Sequence, residues 1–340
     1  MTRRPTLADV ARRAGVSTAT ASKVLNRRTG FSAETAAAVE AAMSELGYLP
    51  ITRERTPRAT GSIVAVFDTL YTLYSLRVIE GIAEGAQVAG VELVTQVSDP
   101  GHVGAPTLSL DERRVRSMAD RGHAGVIMVT SRIPADLVEL LRAYGLPLVS
   151  IDASAALQAD VPDVSSTHWR GGQQAAAHLL ERGHRRLAFV GAEPANPGIR
   201  ERLAGFRDVL AEAGAPLDDR FVVTGLHADA TALSALLRRD DRPTAVFAAT
   251  DAAAVGTIAV ARGLGLRVPD DLSVVGYDDT YAPVVPGLDL TTVHAPLEAL
   301  GRTAVETVLA LAAGRPAPRG DLHLSTRLIV RGTTAAAPTG

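Results

Sequence analysis

Two sets of residues in this 340-residue chain have types and spacing that could do chemistry, and they lie far apart in the sequence. The first is GVSTATASKVLN, residues 15–26, where small and hydroxyl-bearing side chains crowd the start of an apolar run. Ser and Thr there favour caps and turns over helix interiors. A helix that lies deep in the major groove of DNA, however, needs slender residues at its amino end, where side chains reach base edges and amides meet phosphates. On that reading Thr18, Ala19 and Lys23 face bases, while Ser17, Thr20, Ser22 and Asn26 bond phosphate or the helix's own entry. Val16, Ala21, Val24 and Leu25 then pack inward. An ordinary capped surface helix has the same composition, so this stretch alone leaves both readings open.

The second set follows the apolar runs of the rest of the chain. Asp68, Tyr71 and Tyr74 come after SIVAVF, Asp152 after PLVSI, and His168 and Trp169 after Val164-Ser165. Arg202 opens RLAGF, Thr250 and Asp251 follow TAVFAA, and Asp278 and Asp279 follow LSVVGY. Carboxylates, a guanidinium, an imidazole and aromatic faces gathered at strand ends suit a polyhydroxylated ligand, which donates and accepts several hydrogen bonds at once. Simpler roles compete: Trp169, Tyr71 and Tyr74 could be packing, Asp251 could cap a helix beginning at Ala252, and Asp278 and Asp279 could be one ligand contact and one cap. Paired carboxylates could also hold a metal or do acid–base work, but no Gly-rich phosphate loop follows a strand and no His pair has metal-ligand spacing. We therefore assign no catalytic, metal or cofactor residues.

The elements that must position these residues are those of an α/β body behind a small helical head. Eight short apolar runs, beginning near residues 62, 91, 125, 147, 186, 220, 244 and 272, alternate with amphipathic stretches at 76–89, 134–143, 171–182, 200–213 and 251–262. Continuous apolar strands separated by helices imply parallel sheets covered on both faces. The polar, Trp-bearing stretch 161–172 interrupts the rhythm and divides the body into two lobes, about 62–163 with 295–325 and about 164–294 with 326–331. Ligands of such sheets sit beyond the carboxyl ends of the strands, which places the polar set in a cleft between the lobes. The head, residues 1–49, reads as three helices: Leu7–Ala14 behind a Thr6/Asp9 capping box, a second from Ser17 to Leu25, and Ala33–Leu46 capped by Ser32. Residues 50–61 read as a polar, proline-bearing linker, and 332–340 as a disordered tail.

Residues 1–60 hold ten Lys/Arg against five Asp/Glu, although the whole chain has a formal net charge of -2, so a polyanion partner is expected for the head alone. Cysteine is absent, and no run approaches the roughly 18 apolar residues of a membrane span. A cytoplasmic protein, neither exported nor membrane-embedded, is the expectation.

The string TLADVARRAGVSTATASKVLN followed by FSAETAAAVEAAMSELGYLP resembles the head of the lactose-repressor (LacI/GalR) family of bacterial transcription regulators. The likeness continues through ERGHRRLAFVG, RLAGF, PTAVFAATDAAAVG, GLRVPDDLSVVGYDD, LTTVHAPLEALGRTAVE and STRLIVRGTT, across essentially the whole chain. The resemblance implies a helix-turn-helix head on a two-lobed periplasmic-binding-protein-like body. It implies a homodimer, or a tetramer of dimers, whose paired heads bind a nearly palindromic operator in the nucleoid. A mono- or oligosaccharide effector in the cleft would control it, most simply as a repressor of carbohydrate uptake or breakdown genes. Rival readings are a sugar-binding transport protein without a DNA role and a carboxylate-based sugar enzyme; the basic head and the missing catalytic parts weigh against them.

Carried over position by position, Thr6, Leu7, Ser17, Thr18, Ala19, Thr20, Ser22, Lys23, Asn26, Ser32 and Thr35 match the family's DNA-contacting positions, and Arg55 in the linker adds phosphate attraction. Arg202, Thr250 and Asp278 match its effector-contacting positions, beside Asp68, Tyr74, Asp152, His168 and Trp169 from the residue reading. Lys23 stands where the family usually has Arg, a point charge in place of a bidentate fork. Thr250 and His168 each replace a common Asn. In the linker, Ile51 replaces Asn, Glu54 replaces Ala, and Pro57 replaces the Leu that wedges into the minor groove. Proline removes a helix hydrogen bond, so the usual hinge helix is expected to be weakened or absent.

Overall fold

The computed structural model describes residues 6–25, 31–46, 61–98, 110–129, 133–153, 161–192, 196–225, 230–281, 285, 287–316 and 321–338. The chain divides into two compact units, residues 1–58 and 59–340.

The head is three helices, α1 (Leu7–Arg13), α2 (Thr18–Leu25) and α3 (Ala33–Leu46). Each starts where a side chain satisfies its orphan amides. Thr6 and Asp9 form a reciprocal capping box on α1, Ser17 accepts from the Thr20 amide at 3.1 Å, and Ser32 accepts from the Thr35 amide at 3.1 Å. Gly15, at φ 66°, turns the chain between α1 and α2 in a conformation that favours glycine. Val10, Ala11, Ala21, Val39 and Ala42 form the core, and Val16, Val24, Met43 and Leu46 pack against it.

The body is two α/β lobes. The first holds β1 (Ser62–Phe67), α4 (Leu73–Ala89), β2 (Glu92–Val97), α5 (Glu112–Arg121), β3 (Gly125–Val129), α6 (Ala135–Ala143), β4 (Leu148–Ile151) and β5 (Asp163–Ser166). The second holds α7 (His168–Glu181), β6 (Leu187–Ala192), α8 (Pro197–Glu212), β7 (Val222–Thr224), α9 (Ala230–Leu237), β8 (Ala245–Ala248), α10 (Asp251–Gly263), β9 (Ser273–Asp278) and β10 (Thr291–His294). The chain then returns to the first lobe for α11 (Leu297–Ala312) and β11 (Leu322–Leu324), and ends its strands in the second with β12 (Arg327–Ile329). The sheet orders are β11-β5-β4-β3-β1-β2 and β12-β10-β9-β8-β6-β7. All pairings are parallel except β10 with β12.

Strand period 2 explains how each sheet is sandwiched. In β1, Ile63, Ala65 and Phe67 enter the core shared with α4 and α11, while Val64 and Val66 face the one shared with α5 and α6. In β8, Ala245 and Phe247 face one core, and Val246 and Ala248 face the one built with α9 and α10. Phe189, Phe206 and Phe247 pack as tilted and edge-on rings with centroids 5.2–6.3 Å apart.

The chain crosses between lobes three times, at Thr167, between His294 and Leu297, and between Leu324 and Arg327. Two crossovers are stitched together: the Thr326 amide donates to Thr167 Oγ1 at 3.0 Å, and the Thr167 amide donates to the Leu324 carbonyl at 2.9 Å.

Two expectations are corrected. Residues 164–166 do not open the second lobe; they are β5 of the first sheet. Its DVSS sequence is polar yet buried, because Ser150 donates to Asp163 at 2.6 Å and Ser165 pairs with His323 at 2.9 Å. Nor is 332–338 a disordered tail; residues 339–340 lie outside the described residues. The Val274 amide donates to the Thr333 carbonyl at 2.8 Å, Thr333 Oγ1 donates to the Val274 carbonyl at 2.7 Å, and the Ala337 amide donates to the Arg182 carbonyl at 2.8 Å. Thr334 meets His178 Nε2 at 3.0 Å, and the Ala335 carbonyl meets His184 Nε2 at 3.2 Å. The segment straps the second lobe.

His178 Nε2 also accepts from Arg182 Nε at 3.1 Å, so it is held neutral. Burial, then the Arg182 charge and then His184, lower its pKa to about 4. The unfolded chain therefore takes up a proton near 6.5 that the folded one resists until about 4, and stability present at pH 7 is lost as pH falls through that window. Asp163 and Asp251, raised to about 6, pull the other way. The expected result is that the melting temperature of His178→Gln falls less than that of the parent between pH 6.5 and 4; parallel curves would contradict the strap's protonation sensitivity.

Candidate functional site

Within the head, α2 divides as its composition suggests. Ala21 is fully buried and Val24 half-buried, while Ser17 and Thr18 are exposed. Thr6 and Ser32 are exposed as well, and Thr20 and Thr35 are half-buried, each hydroxyl within 2.9 Å of its capping serine. The placements of the Leu7, Ala19, Ser22, Lys23 and Leu25 side chains, and of Asn26, Arg55 and the linker residues Ile51, Glu54 and Pro57, lie outside the described residues.

In the body, three aspartates stand in the left-handed backbone region at strand ends: Asp152 after β4 (φ 51°), Asp278 closing β9 (φ 102°) and Asp279 (φ 62°). Side chains rarely adopt such φ, and strain of this kind gathers at ligand sites. Around them lies one continuous polar chain. Tyr74 Oη donates to Asp152 Oδ2 at 2.7 Å, and His168 Nε2 donates to Asp152 Oδ1 at 2.9 Å. Arg202 Nε donates to His168 Nδ1 at 3.3 Å, so Nε2 is the ring nitrogen that donates to Asp152. Arg202 also donates to the Ala249 carbonyl at 2.6 Å and stands 3.4 Å from Asp278 Oδ1. Tyr74 and Asp152 come from the first lobe, His168, Arg202 and Asp278 from the second.

The electrostatics follow from burial. Arg202 and Asp278 are each 5% exposed. Burial pushes the Asp278 carboxyl upward, and the Arg202 charge that faces it pulls it back toward the ionised form. Burial also acts on Asp152, but His168, Tyr74 and Arg202 outweigh it and hold that carboxyl below its ordinary value. Asp278 Oδ1 is buried without a hydrogen bond, an expensive state that a ligand donor would relieve. Beside it opens a cavity of about 130 Å³, lined by Arg77, Asp279, Thr280, His294, Leu297 and Glu298 among others.

Of the expected cleft residues, Tyr74, Asp152, His168, Arg202 and Asp278 are thus brought together. The others have different partners. Asp68 accepts from Ser98 Oγ at 3.1 Å, Thr250 caps α10 by accepting from the Ala253 amide at 3.1 Å, and Trp169 donates its indole N–H to Asp208 of α8 at 2.8 Å. Tyr71 is 69% exposed. Asp251 is not a cap but the first residue of α10, accepting from the Thr280 amide at 2.7 Å and Thr292 Oγ1 at 2.6 Å. Asp279 pairs with Arg331 at 2.8 Å and His294 at 3.2 Å.

Sequence reasoning missed Tyr277. Its ring lies 3.6 Å beneath the Arg202 guanidinium, and its hydroxyl is 3.3 Å from His168 Nδ1. Only its place between Gly276 and Asp278 at a strand end marks it. Among the described residues no group of three or more His, Asp or Glu could hold a metal, and no helix is long and apolar enough to cross a membrane.

Removing one partner of a buried ion pair strands the other charge, at roughly 3–5 kcal/mol. Arg202→Met should destabilise the body by that order in denaturant unfolding, and adding Asp278→Asn should restore part of the loss. Additive losses would mean that the two groups are not coupled.

Residues 6–50 match the family described as bacterial regulatory proteins, lacI family, and residues 176–334 match a periplasmic binding protein-like domain. The chain is similar to the HTH-type transcriptional regulator MalR of Streptomyces coelicolor, 35% identical over 98% of this chain and 97% of that one. It is also similar to the HTH-type transcriptional repressor PurR of Salmonella arizonae, 32% identical over 98% of each. Among solved structures it resembles a transcriptional regulator CelR–cellobiose complex (29% identity, TM-score 0.69, 97% of this chain and 100% of that one). A lac repressor dimer bound to operator and the anti-inducer ONPF is similar too (28% identity, TM-score 0.67, 98% and 100%). With such identity along nearly its whole length to regulators rather than enzymes, and with two parallel-sheet lobes behind a helix-turn-helix head, the chain belongs to the lacI family of bacterial regulatory proteins and is a DNA-binding transcriptional regulator.

Proposed function

We propose that the protein is a cytoplasmic, nucleoid-bound repressor of carbohydrate uptake or breakdown genes, released from or fixed to its operator by a mono- or oligosaccharide held between the lobes. The observation that carries this reading is the buried chain Tyr74–Asp152–His168–Arg202–Asp278, which joins groups of both lobes and leaves Asp278 Oδ1 without a hydrogen bond. A hydroxyl-rich ligand supplies the missing donor and accepts from Arg202, so it engages both lobes at once. The cellobiose held by the similar CelR regulator supports a sugar over the other ligand classes of the family.

In this reading the protein works as a homodimer on a nearly palindromic operator. Thr18, Ala19 and Lys23 read bases, and Thr6, Leu7, Ser17, Thr20, Ser22, Asn26, Ser32 and Thr35 set the register of α2. Arg55 adds phosphate attraction. Sugar changes lobe closure, and the two heads of the dimer then fit or misfit successive major grooves. Coupling of this kind is commonly about 1–3 kcal/mol.

A mobility shift on palindromic DNA from neighbouring promoters, at fixed salt, tests the reading. Saturating sugar should change operator affinity by roughly 5–150-fold. Unchanged affinity would remove the allosteric part, and indifference to every palindrome would remove the operator. Pro57→Leu should tighten operator binding by about ten-fold, a fraction of the roughly 3 kcal/mol that proline costs a helix; an unchanged affinity would mean that the linker acts without a helix.

A further inference from the structure

Strand β9 ends on two residues in the left-handed backbone region, Asp278 at φ 102° and the following Asp279 at φ 62°. Residues other than glycine keep such a conformation only where their surroundings over-determine it. The side chains of the pair are held from outside: Asp278 faces Arg202 at 3.4 Å, and Asp279 lies between Arg331 and His294. The backbone needs a grip of its own, and a carboxylate that the effector reading leaves unused supplies it.

That carboxylate belongs to Asp251, which is 1% exposed. It accepts from the Thr280 amide at 2.7 Å, from Thr280 Oγ1 at 3.4 Å and from Thr292 Oγ1 at 2.6 Å. None of these donors is charged, so its burial is costly, and helix capping does not account for it, because Thr250 already caps α10. Its reach depends on Gly276, the residue of β9 that is paired with Thr292 of β10. A Cβ at Gly276 would overlap Asp251 Oδ1. Through that gap Asp251 anchors one oxygen on β10, and its other oxygen takes the first amide beyond the strained pair.

We infer that Asp251 is a positioning residue of the effector site: by holding the Thr280 amide it fixes the turn that presents Asp278 to the cleft. It acts through Thr280 and not on the ligand. The inference rests on reading the cleft as the effector site and adds the group that sets its geometry. Without this carboxylate the amide of Thr280, a residue 3% exposed, would lose its acceptor inside the protein. The turn would then relax toward ordinary φ and carry the Asp278 carboxyl with it.

The test compares the full chain with its Asp251→Ala, Asp251→Asn and Thr257→Val variants. Thr257→Val is the control for damage to α10 itself, since it removes a buried hydroxyl that donates to the Ala253 carbonyl at 2.8 Å. Hydrogen exchange is followed by mass spectrometry on peptides covering 277–281 and, within β8, 245–248. Binding is followed by thermal shift with cellobiose, maltose, D-glucose, D-galactose and D-ribose. Asp251→Ala should speed exchange at 277–281 about ten-fold relative to 245–248, as the loss of one buried hydrogen bond implies, and weaken any sugar the parent binds by a similar factor. Asp251→Asn keeps an oxygen for the Thr280 amide and should restore both to within about three-fold of the parent. Thr257→Val should lower the melting temperature and leave both unchanged. If Asp251→Ala does not fold, Thr292→Val, which frees the carboxylate from its anchor on β10, should speed exchange at 277–281 about three-fold. Exchange there that is unchanged, or that rises only in step with 245–248, overturns the inference; so does faster exchange with undiminished sugar affinity. A parent that answers no sugar overturns the carbohydrate reading instead, and exchange alone then decides whether Asp251 holds the turn.

Discussion

The guanidinium of Arg202 is the group the body is arranged to make tolerable. A full positive charge that is 5% exposed costs several kcal/mol unless its surroundings replace water. The replacement comes from parts of the chain distant in sequence: the Ala249 carbonyl beyond β8, His168 at the start of α7, Asp278 at the end of β9, and the face of Tyr277 beneath it. Lysine could not take this place, because only a planar guanidinium can donate to His168 and the Ala249 carbonyl, face Asp278 and lie flat on the Tyr277 ring at once. Small residues make the space. A Cβ on Gly171 would meet the Tyr277 ring, and one on Gly172 would overlap the Arg202 carbonyl oxygen, so α7 and α8 pack at backbone distance. What the imidazole does is set by the same contact: Nδ1 accepts from Arg202, so Nε2 faces Asp152 as donor.

This arrangement places the polar chain next to the points where the lobes are joined. Thr167 precedes His168 and is bonded to Thr326 in a second crossover, so α7 starts at a stitched pair of strands. The sheets on either side are buried on both faces and cannot deform gradually. Any movement of one lobe against the other has to turn at the three crossovers, and the proposed ligand, held by groups of both lobes, would act on those few residues.

The head solves a different problem. Its helices are short, and short helices are marginal on their own. Ser17, Ser32 and the Thr6/Asp9 pair close the amino ends with side chains of the same polar type that a phosphate-facing surface requires. Ala21 can serve the core because a small side chain is enough where α1, α2 and α3 converge.

What could be read from the sequence was whatever is settled by neighbours a few residues apart. The continuous apolar runs of β1 and β8, the capping box at Thr6, the Ser17 and Ser32 caps and the places of Asp152 and Asp278 at strand ends are all of this kind. The motifs also identified the family. Tertiary structure decided what depends on partners far away in the chain. DVSS becomes a strand because Ser150 and His323 come to meet its polar side chains, and the 332–338 segment is held by Val274, Ser273, Asp289, Thr291, Arg182 and two histidines. Trp169 looked like a ligand contact until helix phase turned it to Asp208, and Tyr277, which sequence reasoning passed over, is the buried ring on whose face Arg202 settles. A polar or aromatic side chain keeps several roles open in the sequence, because burial and pairing are long-range properties; only the fold chooses among them.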